Sequence, residues 1–152
     1  MKHDALWPKV GWLTTFLMDD QGRKSDFERL IPIHPCAAYL AATISRQFSL
    51  AQRTLFRFLK QADRGSFPVF LHEHPKGDGG DRFWYTADAL WDYFFLGDSL
   101  ELPHGFRDVV NYYRSHTNSL TDEDERRVFK VIMLLLGLSK ETPNVKRLRP
   151  TR

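Results

Sequence analysis

The chain of 152 residues has a single cysteine, no GxxxxGK[ST] phosphate-binding signature and no long hydrophobic run. Each lack excludes something. Cys36 alone closes no intramolecular disulfide and supplies no Cys-rich zinc site, which fits a reducing compartment. The longest strongly apolar run, Val131 to Leu136, covers about 9 Å of helix against a bilayer core of about 30 Å. The opening MKHDALWPKVGW lacks the apolar core of a secretion signal. A cytoplasmic protein with no membrane partner is expected. There is no HExxH helix, no glycine elbow around a nucleophile and no ordered Ser/His/Asp set, so independent catalysis is not expected.

What is present is apolar and aromatic. Hydrophobic residues make up 42% of the chain, enough for a core in one ordinary domain. Twelve Phe, four Trp and five Tyr supply large apolar area, part of which is expected to serve an interface with a partner or neighbouring domain. The formal net charge is +3, but residues 140 to 152 hold Lys140, Lys146, Arg147, Arg149 and Arg152 against Glu141, a net +4. The body, residues 1 to 139, is therefore at −1. The basic tail suits nucleic acid or an anionic surface, or is simply solvated.

Periodicity reads mainly as helix. One or two short helices are expected before Ile31, the second around Asp26 to Ile31. Pro35 suits a first helical position, where its missing N–H leaves nothing unpaired. From there to Gln47, Cys36, Tyr39, Leu40, Thr43 and Ile44 recur at helical spacing. Ser49 and Gln52 form a capping box for a second helix, with Ala51, Leu55, Phe58, Leu59 and Ala62 as its buried stripe and Gly65 as its end. FPVFLH and RFWYT, on either side of EHPKGDGGD, read as a β-hairpin over residues 67 to 85, with Pro68 confining the first strand to an edge. Thr86 caps ADALWDYFF, FRDVVNYYRS follows over 106 to 115, and a last helix begins at Ser119 or Thr121 with acids in its first turn. That last helix is apolar on nearly every side, which predicts that partners surround it. The expected fold is a mainly α bundle of about five to six helices with one small β-hairpin, winged-helix-like or lid-like. It spans residues 1 to 139, with 140 to 152 as the basic tail.

Few groups suggest chemistry. His72 and His74 on a strand would share a face, but no further ligand completes a metal site. PKGDGGD is glycine-rich yet acidic, and reads as a turn. Asp88 and Asp92, one helical turn apart, are the usual pattern of a solvated face. Arg53, Arg57, Lys60 and Arg64, spaced four, three and four, place four cations on one side of the second helix, like the recognition element of a helix-turn-helix. With Lys146, Arg147 and Arg149 they form the candidate nucleic-acid set. The competing reading is an ordinary basic solvent face.

The wording of PIHPCAAYLAATISRQFSLAQRTLFRFL, residues 32 to 59, resembles the region just after the nucleotide-binding core of large bacterial P-loop (AAA-type) ATPases. Pro32, His34, Pro35, Arg53, Thr54, Leu55, Phe56, Phe58 and Leu59 carry the likeness. WYTADALWDYFF (84 to 95) and ERRVFKVIMLLLGLS (125 to 139) resemble later helices of that family in the same order, so the likeness runs over about 28 to 139. It departs at Leu50-Ala51 and Gln52, where the family pattern has Gln-Asn and Glu. The resemblance implies a non-catalytic helical lid or interaction segment of a multidomain ATPase, of the phage-defence or DNA-processing type. Its partner would be a separate P-loop core, and ATP and Mg would reach it only through that core. With no Walker lysine and no acidic Walker B strand, the chain is expected to have no cofactor or turnover of its own. In such a lid Arg53 would send a cation toward the phosphates and His34 would be a weaker second. Alternatively, Arg53 pairs with a carboxylate on the body and His34 caps a helix entry. A stand-alone helix-turn-helix nucleic-acid-binding protein is the other functional reading.

Overall fold

The computed structural model describes residues 28–47, 51–75, 83–95, 102 and 104–141. Residues 28–30 are helical, and six further α-helices follow among the described residues: α1 Pro35–Gln47, α2 Ala51–Lys60, α3 Phe67–Glu73, α4 Ala87–Phe95, α5 His104–His116 and α6 Glu123–Glu141. A 3-10 turn, Thr117–Ser119, precedes α6. The chain divides into two compact units, Met1–Gly97 and Asp98–Arg152.

In the first unit, α1 starts at Pro35 and ends at Gln47, as its spacing predicts. Its buried stripe runs through Ala37, Leu40, Ala41 and Ile44, while Cys36, Tyr39 and Thr43 are only half-buried. The face is turned slightly from the expected one, onto Ala37 and Ala41. α1 packs on α2 and α4, and α2 packs on α3.

Phe58 is the hub of this unit. It is fully buried, with ring centroids 5.2 Å from Tyr85, 5.1 Å from Tyr93, 5.7 Å from Phe94 and 6.2 Å from Phe67. Such edge-to-face and tilted pairs add about 0.5–1.5 kcal/mol each beyond the area they bury. α2 ends at Lys60, short of the expected Ala62. Beyond it, Asp63 to Ser66 close a turn in which Ser66 N–H donates to the Asp63 carbonyl (2.9 Å) and Gly65 takes φ +77°. A positive φ at the third turn position is what a type II turn requires and what glycine supplies at least cost.

The expected β-hairpin over 67 to 85 is absent among the described residues. FPVFLH lies in helix α3, with Ser66 in the extended cap position and Pro68 in the first turn, where its missing N–H is no loss. The proline that seemed to mark an edge strand marks a helix start. α3 has no fully buried residue, so tertiary ring contacts hold it. Phe67 lies 6.1 Å from Tyr85, and Phe70 5.1 Å from Tyr85. The second half of the expected hairpin supplies only an isolated parallel bridge between Tyr85 and Ile33. There, His34 N–H donates to the Tyr85 carbonyl (2.9 Å) and Tyr85 N–H to that of Pro32 (2.9 Å). The Tyr85 hydroxyl donates to the Gly65 carbonyl at 3.0 Å.

Among the described residues the second unit holds an antiparallel helix pair. Phe106 near the start of α5 meets Gly137 near the end of α6, while Tyr113 stacks on Phe129 at 5.4 Å, nearer the start of α6. A Cβ on Gly137 would collide with the Phe106 ring, so only glycine lets the ring lie against the α6 backbone. α6 begins at Glu123, later than expected, because Asp122 is its cap: one Asp122 Oδ1 accepts from the N–H groups of Asp124 (2.7 Å) and Glu125 (3.3 Å). Arg126 fixes the preceding turn by donating to the carbonyls of Leu120 (3.0 Å) and Thr121 (3.3 Å).

α6 is not surrounded by the described residues. It buries Met133, Leu134, Gly137 and Leu138 on one side, yet Val128, Ile132, Leu135 and Leu136 on the other are exposed. A two-helix hairpin covers only one face of each member, and this helix has two apolar faces. No helix among the described residues is long and apolar enough to cross a membrane.

Candidate functional site

The candidate residues gather around α2 and the segment entering α1. His34 is held by the Tyr85 bridge on its backbone and by the Cys36 N–H, which donates to its Nδ1 at 3.2 Å. Nδ1 is thereby an acceptor, and the ring is the neutral tautomer with its proton on Nε2. Partial burial holds its pKa below the ordinary value of 6.5, and the ring stands edge-on to Trp84 at 6.4 Å. This is the geometry of a helix entry stabilised by a neutral imidazole. Cys36 beside it is half-buried with its thiol pKa pushed up by desolvation, which keeps it protonated and unreactive.

The four-cation stripe divides. Arg53 lies in α2, but its side chain is outside the described ones. Arg57 and Lys60 are exposed on α2. Arg64 is exposed as well, but it sits in the turn beyond the helix end, so the expected continuous face stops at Lys60. Arg57 Nη2 lies 3.2 Å from Asp63 Oδ2, a solvent-facing pair that contributes about 0–1 kcal/mol. Tyr93 joins this group through a hydrogen bond to Asp63. Its phenol pKa is raised, first by burial and then by the Asp63 charge. Lys146, Arg147 and Arg149 lie outside the described residues, as do Ser49 of the expected capping box and the Gln52 side chain.

The exposed face of α2 is apolar as well as basic. Phe56 is 62% exposed and Leu59 40% exposed, beside Arg57 and Lys60. Leu59 was expected in the buried stripe. The stripe is narrow and centred on Phe58, and a neighbour in sequence stands about 100° round the helix, off the seam. Ala62 is exposed past the helix end, Leu55 is half-buried, and the Ala51 side chain is outside the described ones. Phe56, about 200° from Phe58, was legible in the sequence as the residue unable to share its face.

His72 and His74 do not face one way. His72 is exposed on α3, whereas His74 follows the helix end, stacked 4.5 Å from Phe70 and 4.9 Å from Phe83. Among the described residues no group of three or more His, Cys, Asp or Glu is placed to hold a metal ion. Asp88 accepts from the Thr86 hydroxyl at the start of α4 (2.5 Å), a local N-terminal arrangement.

No family model matches the sequence, and no solved structure matches the chain.

Proposed function

We propose that this protein is a helical interaction module that docks a partner domain on the outer face of α2. The observation that carries the reading is the mixture on that face: Phe56 and Leu59 are exposed beside the cations Arg57 and Lys60. Exposed aromatic and arginine side chains together are the composition of protein interface centres rather than of solvated surface. A duplex-reading helix needs polar and cationic side chains at base edges and phosphates, and gains little from a protruding Phe and Leu.

The partner suggested by the sequence resemblance is the nucleotide-binding core of a bacterial P-loop ATPase. In that arrangement the chain is a non-catalytic lid, and Arg53 and His34 are its residues nearest the nucleotide. ATP and Mg belong to the partner.

Three measurements test this. The purified chain should show no ATP turnover; a rate that survives repurification and disappears in Arg53→Ala would sink the proposal. If the neighbouring reading frame encodes a P-loop core, the two products should co-elute, and Phe56→Ala should weaken the pairing by about 1–2 kcal/mol. Labelled duplex DNA should not bind at low salt. Binding that falls steeply with salt and is lost in Arg57→Glu/Lys60→Glu would favour the nucleic-acid reading instead.

A further inference from the structure

We infer that the partner docked on α2 is an acidic amphipathic helix, which sets a carboxylate on Arg57 and apolar side chains on Phe56 and Leu59. The inference rests on the docking reading above and specifies the chemistry of its partner. At about 100° per residue, Leu59 lies about 60° to one side of Phe56, with Lys60 about 40° and Arg57 about 100° to the other. Apolar and basic rows therefore run side by side along α2, and Phe56 and Leu59 stand open to solvent. A helix with adjacent apolar and acidic rows is complementary to both.

Arg57 is the cation best placed to receive the carboxylate. Its side chain is 58% exposed, its Nη2 lies 3.2 Å from Asp63 Oδ2, and Asp63 is in turn hydrogen-bonded to Tyr93. The Tyr93 ring is anchored 5.1 Å from buried Phe58 and 5.0 Å from buried Phe94. The guanidinium is thus steered from its Asp63 side, while its Nε and Nη1 have no hydrogen-bond partner among the described residues. Whichever Nη2 hydrogen Asp63 takes, one edge of the planar fork keeps two parallel N–H donors, the geometry that holds a carboxylate by two bonds. Asp63 does not cancel the attraction: from residue 57 to residue 64, Arg57, Lys60 and Arg64 stand against Asp63 alone, a net +2. Phosphates of a nucleic acid would also suit these cations, but they bring no apolar row to cover Phe56 and Leu59. Carboxylates set beside apolar side chains are the chemistry of a protein helix.

Three fluorescein-labelled peptides of about eighteen residues, long enough to hold a helix, test this on the full chain by anisotropy. The first carries a leucine row beside a glutamate row, the second has Gln for every Glu, and the third has Ser for every Leu. The Leu/Glu peptide should bind about tenfold more tightly than either of the others. Arg57→Lys keeps the charge but loses the fork, and should cut the preference for Glu over Gln to about twofold while leaving the affinity for the Gln peptide unchanged. Tyr93→Phe, which keeps the ring beside Phe58, should lower the same preference by less. Equal binding of the Glu and Gln peptides, both weakened by Phe56→Ala, would overturn the inference and leave the docking reading in place. So would a preference for Glu that Arg57→Lys does not change, or a Ser/Glu peptide that binds as tightly as the Leu/Glu one. Failure of every peptide to bind, or binding that Phe56→Ala does not weaken, would remove the docking face itself.

Discussion

The two units solve the same problem differently. The first, with α1 to α4, gathers its aromatic rings on Phe58 and draws a helix of seven residues into the same ring cluster. In the second, among the described residues, the nineteen-residue α6 packs on the thirteen-residue α5, and Val128, Ile132, Leu135 and Leu136 of α6 stay exposed. A convergent core hides large side chains even when its elements are short. A two-helix hairpin hides only a seam, however long its helices are.

Breaking the hub tests the first half of that contrast most severely. Phe58→Ala should cost about 3–5 kcal/mol in urea unfolding, since a buried ring with four aromatic neighbours leaves a cavity that they cannot all close. A loss under about 1.5 kcal/mol would mean that the rings repack and that no hub exists.

The corresponding stroke in the second unit adds atoms instead of removing them. Gly137→Ala should destabilise by about 1–3 kcal/mol through collision with Phe106, although alanine is the better helix former by about 1 kcal/mol. Pairing it with Phe106→Leu should recover part of the loss, which a purely propensity-driven effect would not.

How much of this was readable beforehand follows the same contrast. The bounds of α1, the position of α4 and the acidic start of α6 were legible because each is announced by local signals: Pro35, Thr86, and the run of acids from Asp122. α3 was not. Its FPVFLH sequence is short and rich in β-formers, and its helical state rests on rings of Tyr85 and Phe58 that come from elsewhere in the chain. Propensity yields to tertiary contact most easily in segments that short. On α2, exposed Arg57 and Lys60 were anticipated, whereas Leu59 was assigned to the core because the width of the buried seam depends on which neighbours pack against it.

Smaller effects sharpen the picture. Asp122→Ala should cost about 1 kcal/mol by removing the acceptor for the N–H groups of Asp124 and Glu125, and Asp122→Asn or Asp122→Ser should keep most of it. The smallest effect belongs to His34. Its folded pKa lies below 6.5, so the unfolded chain takes up the proton first. The group therefore subtracts nothing above that pH, and stability falls as pH drops below it until the folded imidazole is protonated too. Between pH 7.5 and 5.0 the urea midpoint of His34→Asn, which keeps an acceptor for the Cys36 N–H, should fall less than that of the unaltered chain. An identical fall in both would remove His34 from the account.

The bridge between Ile33 and Tyr85 joins two segments far apart in the chain, and the same tyrosine reaches back to Gly65. In kinetic language, the first unit cannot complete itself from local contacts as a simple bundle does. Its helices can form early, but the hub closes only when residue 85 has found residue 33 and the turn at 65 together. It should therefore fold more slowly than its helical content alone suggests. The amides of His34 and Tyr85, each bonded across that closure, are the ones whose slow hydrogen exchange would report it.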